Sequence, residues 1–259
     1  MPLTIEQITK IESTIKESLR NKFKKYQPET KCMPFHYRLL GRDRMALFSF
    51  IHSLNTTFGT SINEPVAETL AVMNFRFAQR QYIVGADISE QAQSEIQHII
   101  NDLTFGKDAN KTEEIERIRR VCKKGVINKL KTVKVDLFVQ SSDRTVYLFD
   151  LKTVKPNISN FKDFKKTLLE WIAIYLLKNP DADINSYLAI PYNPYEPKPY
   201  ERWTLKGMLD LDKEVKVAEE VDILSSAVSY TAGCMQVIME YLWSGNTGLT
   251  MGPIRLPYG

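Results

Sequence analysis

Apolar residues recur every three or four positions at the start of the chain: Ile5, Ile8, Ile11, Ile15, Leu19 and Phe23. That spacing lines one helix face, so an amphipathic helix is predicted over 5–25, opened by a capping box of Thr4 with Gln7. "DRMALFSFIHSLN" (43–55) reads as a second helix. "NEPVAETLAVMNFRFAQRQ" (63–81) reads as a third, with Pro65 in the first turn, where its missing N–H costs nothing. Two more helices suit 89–103 and 112–124, the latter stopped by Gly125. The pattern then changes period. "VKVDLFV" (133–139) and "TVYLFDLKT" (145–153) are rich in β-branched and aromatic residues and are joined by the polar turn "SSDR", which predicts a hairpin. A long helix follows over 160–180, capped by Asn160 and closed at Asn179-Pro180, and then a strand over 184–192. Helix, hairpin, helix, strand, with helical material on both sides, predicts an α/β or α+β fold.

Composition adds limits. A chain of 259 residues with 43% hydrophobic content can bury a sizeable core and reads as one domain. The first 25 residues are polar and show no secretory signal. The longest apolar run, "IAIYLL" (172–177), is far short of the ~20 residues a bilayer span needs. Three scattered cysteines, Cys32, Cys122 and Cys234, suggest a reducing compartment, so a cytoplasmic location away from membranes is expected. Net charge is only +4, yet "RIRRVCKKGVINKLKTVK" (117–134) holds eight basic residues and no acid. Such a block suits a polyanion, with Lys129 and Lys131 as candidate contacts; it also suits a solvated helix end and a charged edge strand.

Candidate chemistry lies in the hairpin. Side chains alternate along a strand, so Asp150 and Lys152 share a face with Leu148, while Phe149, Leu151 and Thr153 take the other. If the turn centres on Asp143, Asp136 of the first strand stands opposite Asp150. Two facing carboxylates repel unless a cation lies between them. Lys152 offsets part of that charge; Mg²⁺ suits the rest, because it binds through one or two carboxylates plus phosphate and water. Asp136 and Asp150 would then hold metal at a scissile phosphate, and Lys152 would orient the attacking water and stabilise the developing charge. Glu64 and Glu68 share one face of the preceding helix and offer a third acid. Glu68 is favoured, since capping alone explains Glu64, whereas Glu68 sits among Ala67, Leu70, Ala71 and Val72. Asp-x-Lys by itself also fits an ordinary exposed ion pair. The three histidines form no zinc pair, and neither a Gly-x-Ser-x-Gly elbow nor a phosphate-binding glycine loop is present.

"VDLFV…YLFDLKTVKPN" resembles the PD-(D/E)XK nuclease signature, with Val135 in place of the first proline. "FDLKTVKPNISNFKDFKKTLLEWIAIYL" and "YNPYEPKPYERW" (192–203) are similar to type II restriction endonucleases of the TdeIII kind. The resemblance implies a restriction-endonuclease-like core, a central mixed β-sheet flanked by helices. It also implies Mg²⁺-dependent cleavage of double-stranded DNA at a short palindrome, GGNCC, by a homodimer whose system includes a DNA methyltransferase. Its catalytic set would be Asp136, Asp150, Lys152 and Glu68. On this reading 1–60 is a helical N-terminal part, 61–195 the catalytic core, and 196–259 a C-terminal loop with helices. Lys155 in the signature, and Lys198, Arg202 and Lys206 in the proline- and aromatic-rich stretch 191–207, are expected to contact DNA. The aromatic residues of that stretch equally suit pinning a loop to the core. Two rivals remain: a non-cleaving DNA-binding module of the same fold, and a resolvase or repair nickase.

Overall fold

The computed structural model describes residues 4–27, 34–152, 161–190, 198 and 207–217. The predicted first helix forms as α1 (Ile5–Lys25), with Ile11, Ile15 and Leu19 buried, so its apolar face covers the protein's own interior. Two helices, α2 (Pro34–Leu40) and α3 (Arg42–Thr57), lead through a π-helical stretch, Phe58–Asn63, into α4 (Glu64–Asn74). The buried side of α1 packs against α4.

The helix expected over 63–81 is shorter than its pattern suggests. It stops at Asn74, Phe75 turns extended, and the chain enters strand β1 (Phe77–Ser89). "FAQRQ" has ordinary helix propensity, but pairing with a neighbouring strand overrides it. That neighbour is β2 (Ile127–Gln140), antiparallel to β1 from Phe77↔Gln140 to Ser89↔Ile127. Two register shifts, around Ile83 and Asp87, bend β1 at Gly85. A Cβ at Gly85 would meet a side-chain carbon of Ile174 at 2.7 Å, so a glycine allows the strand to approach the helix behind it.

Between β1 and β2 lie α5 (Glu90–Thr104) and α6 (Lys111–Val121). Their N-caps are Ser89, whose hydroxyl accepts the N–H of Ala92, and Asn110, whose side chain accepts the N–H of Glu113. The hairpin continues into β3 (Val146–Leu151). Then α7 (Phe161–Lys178) crosses over to β4 (Ile184–Ile190), parallel to β3, and a short α8 (Leu211–Glu214) leads into β5 (Val215–Val217), parallel to β4. The sheet is mixed, ordered β1-β2-β3-β4-β5.

Alternation along β2 and β3 divides the interior between the two sheet faces. Phe138 and Leu148 join Ile96, Ile99, Ile118, Leu168, Leu169 and Trp171 in the larger core, beneath α5, α6 and α7. Leu137 and Val139, with Phe149 and Leu151 beside them, pack on Ala67 and Ala71 of α4. An α+β sandwich results, as the order of elements predicts. Trp171 is buried and Tyr175 packs against the larger core, both as their place in an apolar helix suggests.

One further group shapes the α6–α7 side. Lys111, Glu114, Lys165, Ser186 and Glu214 are all buried. Lys111 Nζ donates to Glu214 Oε1 at 2.9 Å and to Ser186 Oγ at 2.7 Å. Lys165 Nζ lies 2.5 Å from carboxylate oxygens of both Glu114 and Glu214. Burial works to raise the Glu214 carboxyl, but the two ammoniums outweigh it and hold it below its ordinary value. Burial pushes the Lys111 ammonium down.

Candidate active site

The hairpin turn sets the register of the site. Ser141 N–H donates to Thr145 O, Thr145 N–H donates to Asp143 Oδ1, and Arg144 takes a left-handed φ of 75°. From that turn the β2–β3 ladder runs Gln140↔Val146, Val139↔Tyr147, Phe138↔Leu148 and Leu137↔Phe149. One further step of the same register sets Asp136 opposite Asp150, the arrangement the hairpin pattern predicts. The Leu151 N–H donates to Asp136 Oδ2 at 2.8 Å, which fixes one carboxylate at the end of the ladder. The Lys152 ammonium donates to Asp150 Oδ1 at 2.6 Å and lies 5.3 Å from the ring centre of Phe164 in α7.

Asp150 is only 6% exposed, and burial pushes its carboxyl up to about 6. Lys152 opposes that rise, while the charge and hydrogen bonding of Asp136 add to it. Two acids so placed, one of them buried, are short of positive charge even with Lys152 at hand.

The two glutamates of α4 differ in burial and in partners. Glu64 is the more deeply buried at 5% exposure, whereas the Glu68 side chain is 29% exposed and Val72 nearby is open to solvent. Glu68 is also occupied: its Oε1 accepts the N–H of Arg80 at 2.9 Å and its Oε2 lies 3.2 Å from Arg80 Nε. Glu64 accepts a hydrogen bond from the side-chain amide of Gln81 at 2.9 Å. Burial raises the Glu64 carboxyl and the charges of Asp136 and Glu68 raise it further, against the Gln81 hydrogen bond and Arg80. Gln81 stands between the pairs Arg80↔Leu137 and Tyr82↔Val135, and so opposite Asp136. A row Gln81, Asp136, Asp150 crosses three strands. Nothing in the residue pattern at 63–81 marks Gln81, because that stretch reads as helix; the β-branched run after it and Gly85 were the available signs of a strand.

The donor set suits Mg²⁺, which takes one or two carboxylates and completes its shell with water and substrate phosphate. Among the described residues no three acids, histidines or cysteines gather closely enough to hold a metal unaided. Of the expected DNA contacts, Lys129 and Lys131 are exposed on the far part of β2, about 17–23 Å along the strand from Asp136 at ~3.3 Å per residue. Lys129 pairs in register with Asp87. Part of the basic block serves the fold: Arg117 bonds Glu95 and Asp102, and Arg119 donates to the carbonyls of Pro180 and Ala182. Lys198 is exposed. Lys155, Arg202 and Lys206 lie outside the described residues. Among the described residues no helix is long and apolar enough to cross a membrane.

The family model described as type II restriction endonuclease, HinfI, matches residues 3–224. The type II restriction enzyme MjaII of Methanocaldococcus jannaschii is 26% identical over 272 aligned residues, covering 93% of this chain and 71% of the relative. HgiCII and HgiEI of Herpetosiphon aurantiacus, also type II restriction enzymes, are each 24% identical, covering 76% of this chain and 73% of their own length. No solved structure matches. The chain belongs to the HinfI family of type II restriction endonucleases, enzymes that cleave DNA at specific sites.

Proposed function

We propose that this single nuclease domain is a Mg²⁺-dependent, cytoplasmic endonuclease that hydrolyses both strands of double-stranded DNA at a short palindrome. The reading is supported chiefly by Asp136 and Asp150, one step beyond the last β2–β3 pair Leu137↔Phe149, with Lys152 bonded to Asp150. Asp136 and Asp150 would hold the metal, which would supply polarisation of a phosphoryl oxygen and a more acidic water. Lys152 orients the attacking water and offsets charge on the pentavalent phosphorus. Of the two glutamates we take Glu64 as the third acid, a reading supported by its burial and its Gln81 hydrogen bond, and we read Glu68, bonded to Arg80, as holding β1. Resemblance to the TdeIII kind supports GGNCC as the site, a homodimer as the working form, and a methyltransferase that protects the same sequence without binding this chain. Lys155, Lys198, Arg202 and Lys206, with Lys129 and Lys131 further out, are the proposed DNA contacts.

The test is digestion of plasmid DNA with Mg²⁺, followed by run-off sequencing of the ends. Discrete fragments ending at GGNCC are expected, and Asp136→Ala or Asp150→Ala should abolish them while the variants stay folded and bind DNA. Nicks at branched or mismatched positions would indicate a repair nuclease. A folded wild-type protein that leaves the plasmid unchanged would overturn the proposal.

A further inference from the structure

Gln81 has a backbone that its strand does not explain. Its φ is 50°, and among the described residues only one other non-glycine residue, Arg144 in the hairpin turn, has a positive φ. A left-handed conformation is unfavourable for a residue with a Cβ. In a turn the reversal of the chain requires it. In β1 no such need exists, because the pairing keeps one register from Arg80↔Leu137 to Tyr82↔Val135 and shifts only beyond Ile83. No extra residue is being absorbed at Gln81, so the reason must lie in its side chain.

That side chain donates its amide N–H to Glu64 Oε2 at 2.9 Å. Glu64 is buried, and Asp136 stands opposite Gln81 across the ladder. We infer that Gln81 is a positioning residue of the cleavage site, held in a left-handed conformation so that its amide fixes the Glu64 carboxylate beside Asp136. An amide suits the task better than a cation. Arginine or lysine at this point would pair with the carboxylates, as Arg80 pairs with Glu68, and so compete with a metal, whereas a neutral donor orients Glu64 and leaves its charge in place. A residue so placed departs from local backbone preference in favour of a functional contact, the usual context for such departures. The inference rests on reading Asp136, Asp150 and Glu64 as one site, and its test separates the two.

Gln81→Gly removes the amide and suits the backbone, since glycine adopts positive φ without penalty. If Gln81 serves only the fold, this variant loses stability; if it serves the site, stability in urea is kept or rises while function falls. The expected result is a fall in kcat of roughly 10- to 100-fold, with a similar weakening of Mn²⁺ binding to the metal-free protein by calorimetry. KM for DNA should stay within about twofold, because the amide acts on the reacting centre and not on DNA docking. Gln81→Asn, which tolerates the same backbone but is one methylene shorter, gives a second reading if the glycine variant folds poorly, with a smaller loss of the same kind. Asp150→Ala runs alongside. If it is inactive while Gln81→Gly keeps wild-type kcat and Mn²⁺ affinity, the role of Gln81 is overturned and the site stands. If both glycine and asparagine variants lose urea stability and activity together, Gln81 is structural and the inference again fails. Should Asp150→Ala still cut, the site itself is wrong and Gln81 falls with it.

Discussion

Asp150 has a carboxyl lifted from 3.8 to about 6, chiefly by burial, and this ties its charge state to folding. A carboxyl whose folded value is raised contributes stability that is fully present below about 3.8 and is lost as pH rises through about 6. The metal-free protein should therefore weaken between pH 4 and 7 by an amount that Asp150→Asn, always neutral, does not share. Urea unfolding of both proteins across that range checks this, and parallel curves would refute it. Mn²⁺ should restore the wild-type loss at pH 7, because ligands must be deprotonated to bind metal. The Asp136–Asp150 pairing was legible in the residues themselves, since strand alternation and a polar four-residue turn leave little freedom in register. The relative burial of Glu64 and Glu68 was not. It depends on which of them β1 covers and which meets Arg80, and β1 was hidden inside a helix-like pattern.

Elements far apart in the chain are joined by the buried ion group. Lys111 and Glu214 are separated by 103 positions, yet meet at 2.9 Å, tying α6 to α8; Lys165 brings in α7. Helical periodicity shows that these helices bury one face, but a lone lysine on an amphipathic helix reads as solvated, so no local pattern announces such a pairing. Two lysines and two glutamates balance in charge, and that balance makes removal of any one costly. Lys165→Ala leaves Glu114 and Glu214 facing each other with only Lys111 nearby, and should cost about 3–5 kcal/mol. Denaturant unfolding reads that directly; a loss no larger than for a surface lysine would show that water reaches the group. β4 and α8, which this group holds, flank the stretch 191–206, where Arg202 and Lys206 are proposed to meet DNA. Impaired DNA binding is thus expected in Lys165→Ala at temperatures where it remains folded.

The whole molecule must place two active sites on one palindrome if both strands are to be cut, and a twofold axis relating two chains is the simplest way to do it. α1 does not offer that interface with the face that carries Ile11, Ile15 and Leu19, because it is buried within its own chain. The apolar stretch "AGCMQVIMEYLW" (232–243), another candidate for the interface, lies outside the described residues. The dimer can be tested without knowing its surface. On the proposed roles Asp150→Ala would remove chemistry from one chain while leaving its DNA contacts in place, so a mixed dimer would hold one working site and cut one strand. Co-purified wild-type and Asp150→Ala chains should convert supercoiled plasmid mainly to nicked circles, with linear product appearing only slowly, whereas wild type alone gives linear DNA from the start. A chain that acts singly predicts otherwise: inactive partners would only dilute the cutting, and the ratio of nicked to linear DNA would match a lower dose of wild type. Sedimentation of the wild-type protein on cognate DNA supplies the independent measure, with two chains per site expected.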